Sequence, residues 1–372
     1  MNFDVVNIAK NLIRCPSVTP DATQGLDILE SYLKALGFDC HRLVYEGVDN
    51  VYARRGTTSP HFCFLGHMDV VPVGDSSAWH HDPFAGQIVG QCLQGRGAVD
   101  MKGAIAAFVS AISACDTNKG SISLLITGDE EGPALHGTKR VLEWLQGRQE
   151  KIDFCLVGEP TSDQFIGDTL KIGRRGSLSG ELTVFGTQGH VAYPQNFDNP
   201  IPRLIQTLDQ MYQRALDTGT PHFQPSHFDV TTIDVDNKAS NVIPSRASAR
   251  FNIRFNDCYS SDFLKTHFQQ ICVSHAGQHD LKLIVSAEPF LTSSHDFAYK
   301  VKDVVEQVTG QTAMFSTSGG TSDARFIHTV CPVIELGLKN HTAHQINEHV
   351  PLQDLQQLTE IYRAILNEFM CV

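Results

Sequence analysis

Five short segments of this chain end in side chains that bind metal ions well. They read GHMDVVP (66–72), GRGAVDMKG (95–103), TGDEEGP (127–133), VGEPTS (157–162) and HTAHQINEHV (341–350). His67 and Asp69 stand two apart after an apolar run, so an extended backbone turns both to one side. His67 could bind a metal while Asp69 holds its other ring nitrogen. A surface His and Asp after a strand is the plain alternative. Asp100 sits where a glycine-rich turn enters a helix. Its two oxygens could bridge two cations, though by itself an Asp there is more often a helix cap. Asp129, Glu130 and Glu131 are consecutive acids. Adjacent like charges repel, so such a loop gains from a cation. One glutamate could bind it while its neighbour handles a proton; a solvated acidic turn would read the same. Glu159 leaves another apolar strand. The last segment offers His341, His344 and His349.

The donor types select the chemistry. Histidine with carboxylate, and no thiolate, suits zinc, manganese or cobalt in a catalytic site; a structural zinc would normally recruit cysteine. One bridging acid with two further ligands on each side makes a dinuclear centre.

The positioning elements follow from periodicity. Residues 24–36 place Leu26, Leu29, Leu33 and Leu36 at helical spacing before Gly37. Residues 101–114 read as a buried helix. Residues 61–65, 121–127 and 154–157 are short apolar strands. This alternation predicts an α/β layer with a mainly parallel sheet, whose strand ends gather ligands. Residues 177–186 and 246–255 alternate apolar and polar, as an antiparallel sheet with one covered face does. A helical segment near 200–216 lies between them. We expect an α+β domain over 176–289 inserted into a discontinuous catalytic domain, 1–175 and 290–372. Residues 331–336 return to the buried-strand pattern. A last helix is expected from Pro351, with an apolar stripe from Leu352 to Phe369.

Composition narrows the class further. Hydrophobic content of 41% and charged content of 19% fit an ordinary soluble protein. A net charge of −12 excludes a general nucleic-acid binder but leaves room for a basic pocket that takes an acidic small molecule. The start, MNFDVVNIAK, has no basic stretch followed by an apolar run, and no apolar run reaches roughly 18 residues. A cytoplasmic protein with no membrane partner is expected. The ten cysteines include no CxxC pair and read as free thiols.

In this order, the five segments resemble the zinc aminoacylase and carboxypeptidase family of metallohydrolases, along essentially the whole chain. KIGRRGS (171–177), TQGHVAYP (187–194), SNVIP (240–244) and SGGTSDARFI (318–327) resemble its desuccinylase branch. The resemblance implies a zinc-peptidase-like catalytic domain and a ferredoxin-like lid that forms a homodimer. It implies two zinc ions per subunit, with cobalt or manganese as substitutes. His67 and Glu159 would complete one site, Glu131 and His344 the other, with Asp100 bridging. Asp69 would orient His67, and Glu130 would be the general base. The peptide after Asp100 would be cis. His190 would reach the partner subunit's site and stabilise the oxyanion. Arg174, Tyr193, Asn241, Arg254, Gly320 and Thr321 would contact substrate, with Arg175 an equal neighbour of Arg174. Ser240 stands where relatives often have a second asparagine. The activity implied is hydrolysis of N-succinyl-LL-2,6-diaminopimelate to succinate and LL-2,6-diaminopimelate, a step toward lysine and meso-diaminopimelate. The same metal set would serve an N-acetylornithine deacetylase, an aminoacylase or a metallo-carboxypeptidase. A non-catalytic binding protein on this fold would lack a ligand or the base.

Overall fold

Every residue of His61–His67 and Ser121–Thr127 is buried, as are the last three of Phe154–Val157. Strands covered on both faces pair in parallel inside α/β layers. In the computed structural model, which describes residues 3–115, 119–212, 216–292 and 294–370, these three lie side by side and parallel. The register sets His67 beside Thr127 and Leu65 beside Val157. Their carboxyl ends therefore finish almost level, and the next residues of each chain share one edge.

The full sheet has eight strands. Their order is Asp39–Tyr45, Val48–Arg55, Ser121–Thr127, His61–His67, Phe154–Val157, Val333–Glu335, Thr169–Lys171 and Met314–Ser316. The first two form an antiparallel hairpin that the sequence reading passed over. Its turn residues, Glu46 and Gly47, both have positive φ (48° and 84°), the geometry of a tight two-residue hairpin turn.

Ten of the twelve residues in helix Lys102–Ser113 are buried. Val5–Ile13 and Leu352–Met370 pack against it. Phe108 stacks on Phe64 at 4.3 Å and meets Tyr362 edge-on at 5.8 Å. Phe108→Ala leaves a ring-sized hole among these fully buried rings. It is expected to destabilise the fold by about 3–5 kcal/mol, read as a lowered denaturation midpoint with an unchanged slope. The last helix starts at Leu352 rather than Pro351. Pro351 instead closes a short strand, His349–Pro351, paired with Cys92–Gln94.

By contacts the chain divides into two units. One is Met1–Ile172 with Leu291–Ser316 and Ser322–Val372; the other is Gly173–Phe290 with Thr317–Thr321. The boundaries expected at 175/176 and 289/290 thus fall at 172/173 and 290/291, and the short 317–321 segment joins the second unit.

The second unit runs strand Gly176–Phe185, helix Pro200–Tyr212, strands His227–Asp234 and Arg246–Phe255, helix Ser261–His275 and strand His279–Ala287. This βαββαβ order is ferredoxin-like. All its strand pairs are antiparallel. Leu178, Leu182, Phe251, Ile253 and Phe255 form its core with Leu204, Leu264 and Phe268 from the two helices. The nine cysteines among the described residues are all free.

Candidate metal centre

The level strand ends bring the first unit's acids and histidines together. His67 closes its strand, and its Nε2 lies 3.1 Å from Asp100 Oδ1 and 3.7 Å from Glu159 Oε1. The other oxygen of Asp100 lies 3.1 Å from His344 Nε2, which is 2.9 Å from Glu131 Oε1. Two donor groupings therefore share one carboxylate. A zinc ion with tetrahedral bonds of roughly 2.0–2.2 Å separates its ligand atoms by about 3.3–3.6 Å. The observed gaps of 2.9–3.7 Å straddle that range. A third grouping, His67 with Glu130 and Glu131, also has its ligand atoms within 4.8 Å of one another.

The neighbouring acids do different work. Asp129 is buried, and its carboxylate accepts the backbone N–H groups of Leu135 and His136 at 2.9 and 3.0 Å. It shapes the loop, while Glu130 and Glu131 face the centre. Asp69 departs from the expected arrangement. His67 Nδ1 donates to the backbone carbonyl of Asp69 at 2.9 Å, whereas the Asp69 carboxylate is 3.7 Å away. That carboxylate accepts the N–H groups of Glu130 and Glu131 at 3.3 and 3.0 Å. Backbone donors in a strand-end loop reach it more directly than the ring does. Asp69 thus orients His67 through its main chain and ties down the acidic loop through its side chain. With Nδ1 donating, the Nε2 lone pair of a neutral His67 faces Asp100 and Glu159.

His341 pairs with Asp163 at 2.8 Å, and His349 Nδ1 lies 2.9 Å from the Asn347 carbonyl. Neither joins a donor grouping among the described residues. The peptide between Asp100 and Met101 is cis.

Charge explains what such a cluster needs. Burial opposes a charged His67, but the hydrogen bond and charge of Asp100 carry its imidazole well above the ordinary value. Hydrogen bonds to Asp100 and Glu131 push His344 up to about 10. Burial also works against the Asp100 anion, yet His344 and His67 hold its carboxyl far below the usual range. Burial, then the charge of Glu159, hold Glu130 well above that range. Burial likewise raises Asp69 to about 6. Protons here occupy positions that suit cations. The donor set fits divalent cations, whose charge would oppose the upward shifts of His67, His344 and Glu130 and favour Glu130 in its basic form, while keeping Asp100 ionised. Metal uptake would release protons and strengthen as pH rises.

Further predicted residues stand in the second unit. His190 Nδ1 accepts the N–H of Ala192 at 3.1 Å, which leaves Nε2 to carry the proton in the neutral ring. Tyr193 lies 5.5 Å from it between ring centres, and Asn241 accepts the Val191 N–H at 3.0 Å through its carbonyl. Arg174 Nη1 donates to the Gly320 carbonyl at 3.1 Å, and Thr321 is the next residue. Arg254 is half-buried, and both burial and its proximity lower the pKa of Arg175. Arg175 Nη1 lies 3.2 Å from His227 Nδ1.

The fold and this donor set define a metal-dependent hydrolase. The chain belongs to peptidase family M20/M25/M40, whose family model matches residues 63–368. It is 52% identical over 375 residues to a succinyl-diaminopimelate desuccinylase of Rhodospirillum centenum, covering 98% of this chain and 97% of the relative. It is 49% identical over 378 residues to one from Parvibaculum lavamentivorans, covering 99% and 96%. An M20 family metallo-carboxypeptidase from Sulfolobus solfataricus has a similar structure at a TM-score of 0.81, with 16% identity and 100% of both chains covered. A dinuclear metal binding peptidase of the same family from Bacillus subtilis gives 0.72, with 13% identity over 98% of this chain and 97% of that one. No helix among the described residues is long and apolar enough to cross a membrane.

Proposed function

We propose that this chain hydrolyses N-succinyl-LL-2,6-diaminopimelate to succinate and LL-2,6-diaminopimelate, using two zinc ions per subunit. The observation that carries the metal reading is Asp100, with one oxygen 3.1 Å from His67 and the other 3.1 Å from His344. The substrate reading is supported by the names of relatives near 50% identity over nearly the whole chain. His67 and Glu159 would hold one ion and Glu131 and His344 the other, with Asp100 available to both. When bound, the ions polarise the amide carbonyl and bring a water's pKa near neutrality.

The residues of the chain do the rest. Glu130 takes the proton of the attacking water and passes one to the leaving amine. His190, with its proton on Nε2, donates to the tetrahedral oxyanion. Arg174 and Arg254 bind substrate carboxylates, with Arg175 beside Arg254; a guanidinium fork meets a carboxylate with two parallel bonds. Tyr193, Asn241, Gly320 and Thr321 complete the substrate contacts. The second unit is a lid and the dimer interface, and His190 serves the site of the opposite subunit. The enzyme works in the cytoplasm, toward lysine and meso-diaminopimelate; cobalt or manganese can replace zinc.

The decisive experiment measures metal content and turnover on one preparation. Two zinc ions per chain and hydrolysis of the succinyl substrate are expected. Turnover of N-acetylornithine alone would overturn the substrate assignment. His190→Ala is expected to lower kcat by about 10²–10³-fold with metal content unchanged. If His190 acts across the dimer, mixing His190→Ala with Glu130→Gln subunits restores activity that neither has alone.

A further inference from the structure

Arg96 and Glu348 are both buried and form an ion pair of 2.8 Å. Taking such a pair out of water is unfavourable unless its remaining hydrogen-bonding capacity is used. Here all of it but the Arg96 Nε–H is used, and in a reciprocal way. The Glu348 carboxylate accepts the backbone N–H groups of Gly97 (3.0 Å), Val99 (2.8 Å) and Asp100 (3.2 Å). Arg96 donates to the Gln345 carbonyl at 3.1 Å and to the His344 and Pro72 carbonyls at 3.4 Å. Its guanidinium also lies over the Trp79 ring at 5.2 Å. A carboxylate from the His344 segment therefore holds the backbone of Asp100. A guanidinium from the Asp100 segment holds the backbone of His344.

The turn that carries Arg96 has little freedom to reach this position any other way. A Cβ on Gly95 would meet Ile13 Cγ2 at 2.5 Å, and one on Gly97, with φ +84°, would meet Val70 Cγ1 at 2.8 Å. His67 and Glu159 depend on a different support. His67 ends one strand and Glu159 lies just past another, and the two strands are paired from Phe62–Phe154 to Leu65–Val157.

We propose that Arg96 and Glu348 are a positioning pair that sets the spacing of Asp100 and His344. Because Asp100 is shared, the pair bears on both positions, and most on the Glu131–His344 position, where it holds the backbone of both Asp100 and His344. This rests on the two-metal reading above. Groups that support metal ligands typically change affinity by about 10–100-fold when removed.

The test strips the full chain of metal and titrates it with Co²⁺, followed by visible absorption and calorimetry. Wild type is expected to bind two ions. Glu348→Gln keeps one acceptor oxygen but turns the other into an NH2 group, which cannot accept from the backbone N–H groups it would face. It is expected to bind one ion within about threefold of wild type and the other roughly 10–100-fold more weakly, with an altered spectrum for that ion. Arg96→Lys keeps a positive charge beside Glu348 but loses the fork to Gln345 and His344. It is expected to show the same split, and it decides the matter if Glu348→Gln does not fold by circular dichroism. A folded variant that binds both ions as wild type does, or weakens both alike, would overturn the positioning role. A wild-type chain that binds fewer than two ions is a separate result, which fails the two-metal reading and this inference with it.

Discussion

Glu130→Gln is expected to retain both metal ions while kcat falls by about 10²–10⁴-fold, the usual contribution of a positioned general base. The amide keeps the size and polarity of the side chain but cannot take a proton from water. Glu130 is held in place by its backbone N–H to Asp69, at 3.3 Å, and that bond survives the substitution. Measuring zinc content beside single-turnover rates separates the two effects. If metal is lost instead, Glu130 is a ligand and its neighbour Glu131 is the base. The grouping of His67 with both glutamates makes this a real alternative.

Asp100→Ala should affect both ions at once. No other described carboxylate has one oxygen beside His67 and the other beside His344. Metal content is expected to fall below one ion per chain. Lewis-acid stabilisation is worth several kcal/mol, and each 1.4 kcal/mol is roughly tenfold. Activity at fixed zinc should therefore fall by at least about 10³-fold. A variant that holds two zinc ions with near-normal turnover would show that Asp100 is not the bridge.

Much of this site is legible in the chain because its ligands follow short buried strands. An apolar run that ends in His67, or turns into Glu159, announces a strand end, and a parallel sheet collects its strand ends on one edge. What separates neighbours along one loop is not legible in that way. Asp129, Glu130 and Glu131 have nearly the same chemistry. Only folding shows that Asp129 turns back to cap the N–H groups of Leu135 and His136. Asp69 shows the same limit, because either its carbonyl or its carboxylate could meet His67. Arg96 and Glu348 were passed over because a single charge in a glycine turn looks like solvated surface. Their burial and mutual contact are separated by 252 positions in the chain. In the second unit, Gly176–Phe185 and Arg246–Phe255 alternate clearly because both strands are interior to their sheet. His227–Asp234 and His279–Ala287 are its edges, and exposed Ile233 and Ile284 interrupt the polar side of their sequence patterns.

The order in which the chain contributes to its first unit has a consequence for synthesis. Thr292 donates its N–H to the Ile172 carbonyl at 2.7 Å, so a segment of more than a hundred residues leaves and returns at one point of the sheet. A nascent chain that has passed Ile172 still lacks strand Val333–Glu335 and helix Leu352–Met370, which covers Lys102–Ser113. Until they emerge, that helix has only Val5–Ile13 and the strands against it, and four of the five proposed ligands wait for His344. Contacts this distant in sequence form late and leave the partly made chain open to aggregation. The first unit would close its core and complete the proposed ligand set in the same late event, so metal uptake would report on finished folding.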